Sequence, residues 1–288
     1  MYSIRLKIAI ILIKHIIIIN NAYNITTKEN VVIFFIIILA LVQGLTEFLP
    51  VSSSGHLVLL NKIFGIENDF ILLSVILHVA TLFSVLIVLR KEVKEIICHP
   101  FGSLSKKLIF ATIPTILIVL CFKSFYDSAF DGRFLPFCFM LTAVIIVISE
   151  YISKRQTKIG FKPLNNTRAI IMGIAQGIAV LPGISRSGAT ICSGLITGSK
   201  REEVAHFSFL MSIPIIFASL VLEIYEYAKV GQTLTLAWYE VLIGFIVALI
   251  TGIFSVKFML KLIEKHTMLW FAVYLVIISI VSFFVIYL

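Results

Sequence analysis

This sequence predicts an all-α polytopic membrane protein built as an inverted repeat of two halves, each with one re-entrant helix hairpin and three transmembrane helices. Three observations predict it. The chain is 60% hydrophobic and only 14% charged over 288 residues, with a mean hydropathy of +1.08, which does not suit a soluble globular domain. Its apolar runs are long enough for a bilayer core roughly 30 Å thick, which takes about 20 residues per helix. Two Ser- and Gly-rich loops, 43–56 and 176–190, interrupt those runs and share one pattern. The net charge of +9 comes from Lys and Arg in the gaps between apolar runs rather than along one face, so it reads as a topology signal and not as a nucleic-acid surface.

Taken in order, residues 1–30 form an N-terminal extension. The run Ile8 to Ile19 is interrupted by Lys14 and His15, is short for a span, and lacks the small-residue cleavage site of a signal peptide. A single membrane domain follows over 31–288. Its first half, about 31–152, opens with an apolar segment 31–49 ended by Pro50 and a ten-residue segment 55–64, then spans at 70–89, 108–125 and 134–152. The second half, about 169–288, repeats this with 169–181 ended by Pro182, 189–198, and spans at 204–224, 237–256 and 267–288. The short segments are expected to enter the membrane and turn back.

Charge orients the spans. Arg90, Lys91, Lys94, Lys106 and Lys107 share one loop, and Lys154, Arg155, Lys158, Lys162 and Arg168 another, two spans later. Both are expected on the cytoplasmic side, together with Lys257, Lys261 and Lys265, while 126–133 and 225–236 face outward. The four cysteines, Cys98, Cys121, Cys138 and Cys192, have no paired spacing and predict neither a disulfide framework nor a zinc site.

At a constant offset of 133 residues, Gln43, Gly44, Ser52, Ser54 and Gly55 fall on Gln176, Gly177, Ser185, Ser187 and Gly188. Three crossings per half is an odd number, so the second half is inverted relative to the first. Broken helices meeting near the midplane of such repeats place a ligand site at the repeat interface.

Nine of the fifteen glycines fall within 43–65 and 173–198, where Pro50 and Pro182 also break the apolar pattern. Opened backbone at membrane depth must be buried in protein or line a wet cavity. Ser52, Ser53, Ser54, Ser185, Ser187 and Thr190 are at hand to satisfy it, some of them as helix caps. Arg186 begins a short helix, where the helix dipole repels a cation, so negative charge is expected beside it: Glu47 as an ion pair, a ligand phosphate gripped bidentately, or both. Glu47 lies one turn beyond Gln43 and is suited to a divalent cation or to base chemistry. His56 is suited to act as nucleophile, base or proton donor. His78 and His206 are read first as packing or structural residues, with lining the site as the alternative.

The segments Gln43-Gly-Leu-Thr-Glu-Phe-Leu-Pro-Val-Ser-Ser-Ser-Gly-His56 and Leu181-Pro-Gly-Ile-Ser-Arg-Ser-Gly-Ala-Thr190 resemble the bacterial undecaprenyl-diphosphatase family, also called bacitracin resistance proteins, over roughly 31–288. The resemblance implies a hydrolase of the bacterial cytoplasmic membrane that converts undecaprenyl diphosphate to the monophosphate carrier reused in peptidoglycan synthesis. It implies bacitracin resistance, with bacitracin competing for the lipid rather than binding the protein. It carries the family's positions onto Gln43, Glu47, Ser53, His56 and Arg186, the last flanked by Ser185 and Ser187; Glu47, Ser53, His56 and Arg186 are the catalytic candidates, and Gln43, Ser52, Ser54, Ser185, Ser187, Gly188 and Thr190 of the two loops are the candidate substrate contacts. Where some members have Glu at the first motif position this chain has Gln43, which leaves Glu47 as the carboxylate for a Mg2+ or Ca2+ ion. Either Ser53 or His56 serves as nucleophile or proton carrier, facing the outer side of the membrane. A homodimer is compatible with this reading. The rival reading is a polyprenyl-phosphate transporter or flippase, which needs the inverted repeat but not Glu47, Ser53 and His56 beside Arg186.

Overall fold

The computed structural model describes residues 25–64, 70–230 and 236–288, and all regular elements among them are α-helices. The run Ile8 to Ile19 lies outside the described residues. The first broken pair is α1 (Ile25–Thr46) and α2 (Ser53–Phe64); then come α3 (Phe70–Val88), α4 (Arg90–Cys98), α5 (Ser103–Cys121), α6 (Lys123–Ala129) and α7 (Leu135–Ile159). The second broken pair is α8 (Asn166–Ile178) and α9 (Arg186–Ile196), followed by α10 (Arg201–Val230), α11 (Trp238–Lys265) and α12 (Leu269–Tyr287).

Helices α5, α7, α10, α11 and α12 are long and apolar enough to cross a membrane, and α3 passes the same test together with α4, from which it is bent by 82°. The chain is thus a multi-pass membrane protein whose crossings lie where the apolar runs predict them. The bend has a local cause: α4 carries Arg90, Lys91, Lys94 and Glu95 on its exposed side and leans Val93 and Ile96 on the core, the two-faced pattern that suits a helix at a water boundary rather than one continuing a span. The expected span 108–125 instead stops at Cys121. The seven-residue α6 then turns Tyr126 inward, where its hydroxyl donates to the Gly177 carbonyl (2.9 Å) at the broken end of α8.

Packing between the crossings uses small residues, because in lipid close backbone approach replaces hydrophobic exclusion as the source of attraction. Gly244, Ala248, Gly252 and Ser255 form the buried stripe of α11, which packs on α1 and α3. Ser84 and Ser255 hydroxyls donate across it to the carbonyls of Leu249 and Leu45. In the same way α8 packs on α5. A Cβ on Gly173 would lie 2.0 Å from the Ala111 carbonyl oxygen, and the Thr115 hydroxyl donates to the Gly173 carbonyl. Outward-facing residues of α12 such as Trp270, Ile277 and Phe284 are exposed, as a lipid-facing surface requires. The main core gathers Phe48, Phe139, Phe207, Phe209 and Ile191 around the two broken pairs and thereby fixes the loops between their helices.

Candidate active site

Each loop is opened by a proline and closed by a serine cap. Pro50 has no N–H to continue α1, and the chain turns through 47–51 into α2. Ser52 is the sole non-glycine residue with positive φ among the described residues (φ 69), a conformation that costs about 1–3 kcal/mol and is held by its surroundings. Its Oγ accepts from the Gly55 N–H (3.3 Å) and from the Gly183 N–H of the other loop (3.1 Å). In the second loop, Ser185 caps α9 by accepting from the Gly188 N–H (3.0 Å), and Ser187 Oγ donates to the Leu49 carbonyl (2.8 Å). The loops are therefore laced to each other.

Their contacts are reciprocal. A Cβ on Gly55 would lie 2.8 Å from Gly183 Cα, and one on Gly188 would lie 3.3 Å from Pro50 Cβ. Further out, Gly44 abuts Thr251 and Gly177 abuts Ile118. In each couple the two contacts map onto one another at the 133-residue offset. Gly183 also has φ +92, and a Cβ there would meet Cys138 Cβ at 2.7 Å. Strain and overpacking together predict that Gly183→Ala is destabilised by at least about 2 kcal/mol. Thermal unfolding of the purified variant in detergent checks this; an unchanged midpoint contradicts it.

Between the two helix N-termini lies a cavity of about 30 Å³ lined by Thr46, Glu47, Ser52, Ser53, Ser54, Ala179, Ile184, Ser185 and Arg186, room for one or two waters. Glu47 is its hub. Its Oε2 accepts from Ser53 Oγ (2.5 Å) and Gln43 Nε2 (3.0 Å), and its Oε1 accepts from Arg186 Nη2 (2.6 Å). Every donor to this carboxylate is buried or nearly so, with the Arg186 side chain 14% exposed. The second arm of the guanidinium is different: Arg186 Nη1 is buried with no hydrogen-bond partner among the described residues. Gln43 Oε1 is likewise buried and unpartnered. Unmet buried donors and acceptors are rare and call for a missing partner.

The remaining expected residues divide. Ser52, Ser53, Ser54 and Ser185 line the cavity with Glu47 and Arg186; Ser187 and Gly188 lie behind them as loop contacts. Thr190 points elsewhere, donating to the Arg186 carbonyl and meeting Ser208 Oγ at 2.6 Å. His56 does not line the cavity. Its Nδ1 donates to the Ser52 carbonyl (2.7 Å), so in the neutral ring Nε2 is the acceptor for the Tyr274 hydroxyl at 2.6 Å. Two neighbours come from distant helices: Tyr274 on α12, and His78 on α3, whose Nε2 stands 3.8 Å from Glu47 Oε2 while its Nδ1 donates to the Ser74 carbonyl. The signal for His78 was an ionisable residue inside an apolar span; Tyr274, one of many aromatics in α12, had none.

As to a divalent cation, no group of three His, Cys, Asp or Glu side chains with metal-holding geometry occurs among the described residues. What is present is one carboxylate, Glu47, with the orphaned amide oxygen of Gln43 beside it. That donor set fits a hard cation of the Mg2+ kind, which keeps waters and takes the rest of its shell from substrate phosphates.

Fold and site together define a multi-pass membrane protein with a polar centre enclosed where two broken helices meet. Residues 36–281 match the family model of the bacitracin resistance protein BacA, and the chain belongs to that family. Among curated relatives it is similar to the undecaprenyl-diphosphatase of Carboxydothermus hydrogenoformans, 44% identical over 254 residues that cover 86% of this chain and 95% of that protein. The proteins of the same name from Halothermothrix orenii (38% identical, 86% of this chain and 96% of the relative) and Christiangramia forsetii (34% identical, 87% and 97%) are also similar.

Proposed function

We propose that this protein is an undecaprenyl-diphosphatase that releases the terminal phosphate of undecaprenyl diphosphate and returns the monophosphate carrier to peptidoglycan synthesis, and so confers bacitracin resistance. The observation that carries the reading is the unpartnered Arg186 Nη1 in a cavity bounded by the N-termini of α2 and α9. Two helix N-termini and a half-free guanidinium form an anion site, and in the resting protein the Glu47 carboxylate takes the anion's place. A cavity of 30 Å³ admits a phosphoryl group only when the loops part.

Ser53 is the nucleophile we favour over His56. Its hydroxyl already donates to Glu47, the arrangement of an alcohol beside its base; His56 is tied to Ser52 and Tyr274 instead. Ser53 Oγ attacks the terminal phosphorus as Glu47 takes its proton. The bridging P–O bond breaks, undecaprenyl phosphate leaves, and water then hydrolyses the phosphoserine. Arg186 holds the oxygens on which charge gathers, and such preorganised electrostatics is the main part of phosphoryl-transfer catalysis. Glu47 and Gln43 are the residues that would hold a Mg2+ or Ca2+ ion, which when bound polarises phosphoryl oxygens. His56, through Tyr274, holds α2 against α12 and positions Ser53.

The architecture we infer is an inverted repeat. The reciprocal glycine contacts at one offset support it, and so does the exchange of partners: α1 packs on α11 as α8 packs on α5, and α2 meets α12 as α9 meets α7. With positive charge inside, the site faces the outer side of the cytoplasmic membrane. In a Cys121→Ala background, Cys98, exposed at the end of α4, is expected to resist an impermeant thiol reagent on intact cells and to react after permeabilisation. Labelling from outside contradicts the orientation. The same symmetry gives the second reading, a lipid transporter. Phosphate release by purified protein separates the two: the hydrolytic reading expects release from undecaprenyl diphosphate that falls on addition of chelator, and no release in either condition refutes it.

A further inference from the structure

A second cavity lies well apart from the one at Glu47. A space of about 560 Å³ lies between the C-terminal part of α7, the start of α10 and the turn from α11 to α12, and shares no lining residue with the site above. Its wall contains a closed polar unit. Glu150 is buried, pairs with Arg201 and accepts from the Met268 N–H (3.0 Å), while Arg201 Nη1 donates to the His266 carbonyl (3.1 Å). This unit is satisfied and fixes the turn.

The mouth is different. Lys154 and Lys265 line the cavity, are exposed, and pair with no carboxylate among the described residues. Lys154, Arg201 and Lys265 against Glu150 and Glu264 leave one positive charge in excess. Polar Ser153, Thr157 and Thr267 accompany the lysines, and the apolar, exposed Val147 and Leu269 complete the lining. Exposed Tyr151 lines it, and exposed Trp270 follows the lining residue Leu269 in the chain, aromatic side chains of the kind found at headgroup level. All of these elements sit at the end of the molecule that bears the basic loops.

We infer that this cavity is a binding site for the phosphate headgroup of an anionic lipid in the cytoplasmic leaflet, the lysines meeting the phosphate and Val147 and Leu269 meeting the first acyl carbons. Basic pockets between transmembrane helices on the cytoplasmic side suit such headgroups. The site stands on its own geometry and does not depend on the hydrolytic reading. The headgroup chemistry has two sources, bulk anionic glycerophospholipid and polyprenyl monophosphate, and we assign the first, because the cavity is formed without contact with the catalytic loops.

Native mass spectrometry of the purified protein titrated with phosphatidylglycerol, phosphatidylcholine or polyprenyl monophosphate tests this. A lysine near an anionic surface is worth roughly 1 kcal/mol, about fivefold in affinity. The protein is expected to retain phosphatidylglycerol at least about fivefold better than phosphatidylcholine. The Lys154→Gln/Lys265→Gln variant is expected to lose that preference, while Lys106→Gln/Lys107→Gln, which removes equal charge from another loop, keeps it. Retention of polyprenyl monophosphate in place of phosphatidylglycerol overturns the assignment of source. No preference in the parent, or an equal preference in the Lys154/Lys265 variant, overturns the site.

Discussion

Glu47→Gln is expected to lose at least about a hundredfold in the rate of phosphate release, the lower range for removing a general base. Three donors converge on the Glu47 carboxylate, from Ser53, Gln43 and Arg186, and a neutral amide serves none of them equally. It has no charge to balance the guanidinium, and it is a poor base for the Ser53 proton. Breaking a buried ion pair by removing one partner also destabilises, by about 3–5 kcal/mol, so the substitution acts on fold as well as rate. Glu47→Asp separates the two. It keeps the charge near Arg186 and withdraws the carboxylate from Ser53 by one methylene, and is expected to unfold near the parental temperature yet turn over slowly. If the cation role is right, chelation of the parent mimics Glu47→Gln. Strong activity of Glu47→Gln in the presence of chelator rules out both roles of this residue.

Arg186→Lys is the second large effect. As a structural counter-ion to Glu47, Arg186 needs only its charge, which an ammonium retains. As a clamp it needs two arms: Nη2 on Glu47 (2.6 Å) and Nη1, buried without a partner, on a phosphate oxygen. Lys offers no second donor in a fixed plane, and a misplacement of about 1 Å in a reacting geometry costs roughly a hundredfold in rate. The variant is expected to insert and extract normally and to hydrolyse undecaprenyl diphosphate at least about tenfold more slowly, equivalent to roughly 1.4 kcal/mol of transition-state stabilisation. Near-parental turnover in the folded variant returns Arg186 to a purely structural role.

The parts of this molecule that were legible in its sequence are those written in local periodicity and in strong local punctuation. Crossings announced themselves as long apolar runs, and Pro50 and Pro182 marked where helices break. Glu47 and Arg186 were readable as a pair because each is an ion in an apolar stretch and has few others to meet. Less legible was whatever depends on a partner far along the chain. The 82° bend between α3 and α4 falls where the span 70–89 ends and puts a helix in a stretch read as a loop, and the break at Phe122 occurs inside a stretch read as a span. They follow from packing of Val93, Ile96 and Tyr126 on the core rather than from a breaker residue. His56 sits nine positions after Glu47 and was grouped with it on that ground; the structure turns its ring toward Tyr274 on the last helix. His78 enters from the third helix to within 3.8 Å of Glu47; an ionisable residue in an apolar span marked it, but not which partner it meets.

Product analysis of one reaction tests the account most directly. Purified protein is reconstituted in vesicles with undecaprenyl diphosphate, and both the lipid product and free phosphate are quantified beside an Arg186→Lys preparation of matched thermal stability. The account predicts undecaprenyl monophosphate and inorganic phosphate in equal amounts from the parent, and at least about tenfold less of both per unit time from the variant. Lipid diphosphate that crosses the bilayer while remaining intact, with no phosphate released, would contradict it and make the two broken helices a transport gate.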